Sequence, residues 1–548
     1  MQLSRYLYTV RYLRPIQIYG RLWFRLHKPR PDMRPAPPLR PQQGRWTQPA
    51  RREPSLLGPQ TFLFLNRKQE LTFPAGWDDS ALEKLWLYNL HYFDDLNARE
   101  AERRADWHRA LLARWIADSP PGQGTGWEPY PLSLRLVNWI KWALGGHALP
   151  EEALHSLAVQ ARYLHGRLEW HLLGNHLFEN IKALIAAGLF FAGPEAERWL
   201  ALGLRLLDQE LHEQILPDGG HFERSPMYHS ILTEDLLDLI NLTAVYPEAF
   251  AADRAALPGL WMDTVQRMRR WLKTMCHPDG QIAFFNDAAW DIAPAPAEMD
   301  AYAGRLGLPS VAAPEDGLTH LQQSGYIRMQ CGPAVALLDV GPVGPDYLPG
   351  HAHADTLSFE LSLYGARVLV NAGTSTYVSG PQRQWERSTA AHNTVTVDGQ
   401  DSSEVWGGFR VARRARPAAL CLSAPNERPL QVSAAHDGYL RLPGRVLHRR
   451  SWSLTARSLE IRDTLEGRFS AAVARFHLHP CLVPQQTAAS PEGIRFLFSG
   501  HTLIWRPQGV AASLEQSAFH PGFGLSQPTI CLTARFQEAM AASLFTWE

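Results

Sequence analysis

Between about Ala81 and Arg305, apolar residues recur at steps of three and four. SLRLVNWIKWAL, HLFENIKALIAAGLFF, AERWLALGLRLLDQELHEQI and SILTEDLLDLINLTAVY are examples. That spacing gathers apolar side chains on one stripe of an α-helix. Breaks rich in Gly, Pro and Asp (PPGQGTG, LPDGG, HPDG) separate the segments and mark turns. Some of these helices are apolar on more than one side, so they need neighbours on both faces. This predicts stacked helical hairpins in a layered or toroidal array. After about Gly317 the pattern changes to two-residue alternation: YIRMQ, AVALLDV, LSFELSLYG, ARVLVNAG, NTVTVDG and ARFHLHP run between Gly and Asp turns. These strands predict a large antiparallel β region, most simply a sandwich. The chain therefore reads as α+β, with a helical array, layered or toroidal, over residues 56–310 and a β-sandwich over 311–548.

Residues 1–55 stand apart. Residues 1–30 alternate Arg with Tyr, Leu, Ile and Trp. A basic amphipathic segment of this kind packs against the main body or lies on a membrane surface. Residues 29–54 are Pro-rich, which excludes helix and predicts an extended linker or strap. Residues 1–50 hold ten Lys+Arg against Asp32 alone, a net +9 within a chain whose 54 basic and 54 acidic residues cancel. Overall neutrality argues against a nucleic-acid binder. No apolar run reaches the roughly 18–20 residues of a membrane span. The N-terminus lacks the continuous apolar core of a secretory signal, so a cytoplasmic or envelope-associated location is expected rather than a periplasmic one. Five widely spaced cysteines with no CxxC pair are expected as ordinary buried thiols rather than a disulfide framework. Nineteen Trp suit a cleft that stacks on sugars, and core packing equally.

Candidate chemistry collects in four places. Gly174-Asn175-His176-Leu177-Phe178-Glu179-Asn180 opens a helix, with Asn175 as its cap and His176 and Asn180 on one face. They read either as a cap with a satisfied polar face or as neutral donors for a carboxylate. LPDGGHFERSPMYH contains Asp218 in a turn, Glu223, and Tyr228 and His229 at a helix start. In Gly350-His351-Ala352-His353, two histidines of an extended segment face one side and can share a cleft or a metal. Arg387-Ser388-Thr389-Ala390-Ala391-His392 precedes the strand TVTVDG, and an HxH with a distant His suits zinc.

Taken in order, GNHxxEN, SPMYH, GHAHAD, NAGTSTY and RSTAAHNTV resemble the heparinase II/III-like polysaccharide lyases, related to alginate and oligoalginate lyases. The segments YLYTVRYLRPIQIYGRLWFRL, WLYNLHYFDDL and WEPYPLSLRLVNWIKW look like a branch that accompanies bacterial exopolysaccharide and capsule production. The resemblance implies a helical toroid joined to a β-sandwich and an acidic polysaccharide or oligosaccharide as substrate. It makes Tyr228 the catalytic tyrosine, His351 a catalytic histidine from the β-domain, and Asn175 and His176 the substrate-carboxylate neutralisers. Glu179, Asn180, His229 and Arg387 are expected as neighbouring substrate contacts. His353 and His392 would be two ligands of a structural zinc, with Asn371 where the family has an aspartate. An amide brings no charge, so a weak zinc site is expected, with His353 and His392 serving as a strut.

The chemistry stands on its own terms. β-Elimination from a 4-linked uronide removes a weakly acidic C5 proton, and neutral donors stabilise the developing enediolate. Tyr228, with its pKa lowered by nearby histidines, would take the C5 proton and return it to O4; His351 would be the base for the other C5 epimer. Two other classes compete. One is a toroid glycoside hydrolase using Asp218, Glu223 or Asp287; the other is a non-catalytic polysaccharide-binding or capsule-assembly protein. No organic cofactor motif is present.

Overall fold

Two short helices, Gln2–Val10 and Pro15–Leu26, begin the chain; the computed structural model describes residues 2–424, 427–485 and 493–548. An extended strap follows, as its prolines dictate. It is tied to the helical body by backbone bonds from Arg40 N–H to the Phe190 carbonyl (2.9 Å) and from Gly44 N–H to the Val245 carbonyl (3.0 Å). A three-stranded antiparallel sheet, Leu56–Gly58, Thr61–Phe64 and Arg67–Glu70, then precedes the helices. Sequence periodicity gave no sign of it, because each strand is only three or four residues long.

The helical body is built on Pro129–Leu144, Glu151–His165, Gly174–Phe190, Pro194–Gln214, Pro226–Val245 and Leu257–Thr274. From Leu177 onward every residue of the Gly174–Phe190 helix is buried. A Cβ at Gly188 would lie 2.6 Å from the Leu200 backbone nitrogen, so only glycine permits this approach of the Pro194–Gln214 helix. Charged residues also cross the interior. Lys182 binds Asp235 (2.6 Å) and Asp238 (2.9 Å), and Lys141 binds Asp238 (2.8 Å). These pairs pin three helices together, since removing one partner would strand a buried charge.

The last helix of the body ends at Arg305, and strands begin at Gly317. The first sheet is a sequential antiparallel meander: Gly317–Leu321, Tyr326–Cys331, Ala334–Asp339, Phe359–Leu363 and Ala366–Leu369. An eight-stranded and a four-stranded antiparallel sheet follow, and Leu361, Phe476, Trp452, Trp505 and Phe545 belong to the core shared among the sheets. The helical body meets this β-domain through a cluster holding Met227, Tyr228, Phe284, Val370 and Phe519, which brings the two halves of the candidate chemistry together. The five cysteines are free, but Cys421 and Cys481 are exposed; the expectation of five buried thiols is corrected to three.

Candidate functional site

Tyr228 sits in the first turn of the Pro226–Val245 helix. The Ser225 Oγ caps that turn by accepting from the Tyr228 N–H (3.2 Å) and donates to the Asp287 carbonyl (2.5 Å). The cap therefore fixes the helix start against the segment that carries Asp287. The Asp287 N–H in turn donates to the His351 carbonyl (2.9 Å). The rings of Tyr228 and His351 stack, with centroids 3.8 Å apart. The Tyr228 hydroxyl shares a hydrogen bond with the Tyr377 hydroxyl at 3.0 Å.

Asp287 organises the histidines. One carboxylate oxygen accepts from His351 Nδ1 (2.9 Å) and the other from His353 Nε2 (2.8 Å), while Arg383 donates to both. Burial pushes this carboxyl up, but Arg383 and the two imidazoles outweigh it and hold its pKa well below the usual range. An ionised carboxylate only accepts, so the bonded His351 Nδ1 carries a proton and Nε2 is left outside that bond. Nε2 lies 3.8 Å from Glu223 Oε2. Burial raises the Glu223 pKa, with His351 and the Asn175 backbone N–H opposing, and Glu223 Oε1 has no partner.

Glu223 also joins the other motif to the site. The Gly174–Phe190 helix starts from two left-handed residues, Leu173 (φ 62°) and Gly174 (φ 53°). A Cβ on Gly174 would overlap Leu348 and lie 2.8 Å from Glu223 Oε1. Leu173 occupies the cap position and Asn175 lies inside the first turn without capping it, which corrects the capping expectation. His176 packs on Tyr130 (centroids 4.4 Å) and bonds through Nδ1 to Glu169 Oε1 (3.3 Å). His176 and His351 keep 29% and 13% of their side chains exposed, so a solute can reach both.

Four expected substrate contacts lie behind the site, each committed within the protein. Asn180 is fully buried: its Oδ1 accepts from the Glu169 N–H (2.9 Å) and its Nδ2 donates to Ser133 Oγ (3.1 Å) and Glu169 Oε2 (3.2 Å). Its role is to brace the carboxylate that holds His176. Glu179 joins the buried network around Asp235 and Lys182, where burial and Asp235 raise its pKa well above the usual range. His229 bonds the Met268 carbonyl (2.9 Å), and Arg387 the Ala352 carbonyl (2.9 Å) beside His351. The expected lowering of the Tyr228 pKa is also corrected. Burial and Asp287 push it well above 10, outweighing the Tyr377 hydrogen bond and Arg383, which act the other way.

The residues present do not fit an ordinary zinc site. His353 Nδ1 faces His392 Nε2 at 3.2 Å. Asn371 spends its Nδ2 on the Phe284 carbonyl (2.8 Å), and the adjacent carboxylate is neutralised by Arg383. Among the described residues no three His, Cys, Asp or Glu are grouped to hold a metal. A second Arg–Asp–His–His chain in the β-domain has the same bonding: Arg450 and His448 Nε2 on Asp463, and His448 Nδ1 to His436 Nε2 at 3.0 Å.

A model of the heparinase II/III N-terminus matches residues 98–301, and a model described as heparinase II/III-like, C-terminal, matches residues 313–548. The chain belongs to the heparinase II/III-like family. A heparin-sulfate lyase of Bacteroides stercoris is 27% identical over 248 residues, 42% of this chain and 36% of that protein. One from Pedobacter heparinus is 28% identical over 282 residues, 46% and 40% respectively. The chain thus matches less than half the length of these lyases. FtsZ-localized protein C of Caulobacter vibrioides is 27% identical over 513 residues, 85% of this chain and 82% of that one. Among solved structures, heparinase III superposes with a TM-score of 0.69 at 18% identity, covering 87% of this chain and 80% of the other. The heparinase II/III-like fold is therefore that of a helical toroid joined to a β-sandwich. Within it, Tyr377, Arg383 and the pairing role of Asp287 escaped the sequence reading; the proximity of NAGTSTY to the other motifs was the one available signal.

Proposed function

We propose that the protein is a polysaccharide lyase that cleaves uronic-acid-containing polysaccharide by β-elimination. The observation that carries this reading is the stacked Tyr228–His351 pair, with His351 oriented by Asp287. His351 Nε2 removes the C5 proton, and the C5 electron pair forms the C4–C5 double bond. The C4–O4 bond breaks, and O4 takes its proton from Tyr228. A phenol held well above pH 10 stays protonated, which suits a general acid. Asn175 and His176 bind the uronate carboxylate through side-chain N–H groups. The buried Glu223 lies 3.8 Å from His351 Nε2 and adds a carboxyl group beside the reacting atoms.

Two of the carboxylates considered for hydrolysis are spent elsewhere. Asp218 accepts from Ser324 N–H (2.7 Å) and Oγ (2.9 Å), and Asp287 is paired with Arg383. A non-catalytic polysaccharide-binding or capsule-assembly role is the second reading, kept because the match over most of both chains is to a protein named for its localisation with FtsZ and not for a lyase activity. Incubation with a panel of heparan-, chondroitin-, alginate- and capsule-type uronides separates these classes. Ultraviolet absorbance from an unsaturated product supports the lyase, new reducing ends without it indicate hydrolysis, and binding without either indicates the assembly role.

A further inference from the structure

The Pro15–Leu26 helix carries an apolar face outward. Its inner face buries Gln17 and Gly20; the Gln17 amide donates to the Tyr347 carbonyl at 3.0 Å, and Gly20 packs on His171. Its outer face presents Ile18, Leu22 and Leu26 in one row and Tyr19 and Trp23 in the next, with Trp23 61% and Leu26 84% exposed. Ile16 and Phe24 turn inward as well, to the helical core and to His171, so the helix is apolar on two sides, where a surface helix ordinarily keeps a polar outer face. The preceding helix adds exposed Leu3, Leu7 and Val10. Ten of the 23 exposed large apolar side chains among the described residues lie in the first 33 positions. That is a concentrated patch rather than the scatter normal on a protein surface.

Charge decides what covers it. No acidic residue occurs before Asp32. Arg5 and Arg14 turn inward to Glu404 and Glu213. Arg21 and Arg25 flank the apolar rows, and with Arg11, Lys28 and Arg30 they are exposed. We propose that this N-terminal helical hairpin is an interfacial anchor that lays its outer face on an anionic lipid bilayer. The aliphatic side chains enter the acyl boundary, Tyr19 and Trp23 sit at headgroup depth, and the guanidinium groups meet lipid phosphates. No described helix is long and apolar enough to cross a membrane, so the contact is peripheral.

The hairpin is fastened to the rest of the protein. Trp406 Nε1 donates to Thr9 Oγ1 (3.1 Å), Arg414 stacks on Tyr12 (3.9 Å), and Arg14 stacks on Tyr347 (3.7 Å). Trp406 shares a two-stranded hairpin turn with Phe409, which packs edge-on to His351. The anchor therefore touches the loop that leads to His351 and the turn that carries Phe409. This inference is independent of the lyase reading.

Cosedimentation of the full chain with phosphatidylcholine vesicles, with and without phosphatidylglycerol, tests it. Binding is expected only to the anionic vesicles. It should weaken as salt shortens the Debye length from roughly 30 Å at 0.01 M to roughly 10 Å at 0.1 M. Leu22→Glu with Trp23→Glu, and separately Arg21→Glu with Arg25→Glu, should each lower binding at least about tenfold. All four side chains are exposed, so an unchanged melting temperature certifies the fold. Failure of the parent to sediment with anionic vesicles, or equal binding by parent and both double variants, overturns the proposal. A dimer in sedimentation velocity that Leu22→Glu with Trp23→Glu dissolves, without vesicle binding, would assign the face to a second copy and also overturn it.

Discussion

Replacing Tyr228 by Phe removes one buried oxygen and leaves the ring stacked on His351. The hydroxyl makes one hydrogen bond, to Tyr377 at 3.0 Å. Losing it costs about 1 kcal/mol, and about 1–3 kcal/mol if the Tyr377 hydroxyl is left unpaired. In a chain of this length, that lowers the melting temperature by at most about 2–4 °C per kcal/mol. The chemical loss is larger. Without a proton donor at O4, turnover should fall about 10²–10⁴-fold, or about 3–5 kcal/mol on the barrier. KM should change little, because the donor acts as O4 departs and not on the bound substrate. Release of unsaturated product, followed by ultraviolet absorbance alongside a melting curve, separates the two losses. The parent should also keep its rate as pH approaches 10, because burial and Asp287 hold the Tyr228 pKa well above that value. A folded Tyr228→Phe protein with turnover within about threefold of the parent would refute the assignment.

His351→Ala removes the proposed base while Arg383 still neutralises Asp287, so folded protein with turnover reduced at least about 10²-fold is expected; near-parent turnover would place the base elsewhere. Gly174→Ala forces a side chain onto a left-handed residue and into Leu348, and should destabilise by about 1–3 kcal/mol in a melting or denaturant experiment; parent-like stability would show that the turn relaxes. Elemental analysis of protein purified without chelator should find well under one zinc per chain, and Asn371→Asp should raise it; full, chelator-resistant occupancy would disprove the strut reading. Burial holds His229 and His477 at about 4, below the ordinary 6.5. Their contribution is therefore complete above pH 6.5 and is lost as pH falls toward 4, where only the unfolded chain binds the proton, each worth up to about 3 kcal/mol. The melting temperature should fall across that window, and a flat profile would count against neutral buried imidazoles.

The sequence by itself determined the element types and the order of the motifs, because both are local. Apolar spacing in IKALIAAGLFF requires a helix buried along its length, and alternation in LSFELSLYG requires strands. The prolines of residues 29–54 forbid anything but an extended strap. The motifs GNH, SPMYH and HAH were legible for the same reason, each being a few consecutive residues. Depth and pairing were not local. Helical spacing puts His176 and Asn180 on one face, but only packing shows that the helix sinks into the wall after its first turn, so Asn180 braces Glu169 while His176 stays reachable. The Tyr228 and Tyr377 hydroxyls meet across 149 positions, and Asp287 gathers Arg383 and the His351–His353 segment from two distant stretches of the β-domain. Those contacts exist because the helical body docks on the first sheet through apolar side chains that carry no record of which polar groups they bring together. The N-terminal helix makes the same point. Its composition announced an amphipathic segment, but which face meets solvent was settled by the small and polar residues, Gly20 and Gln17, that fit against His171 and the Tyr347 carbonyl.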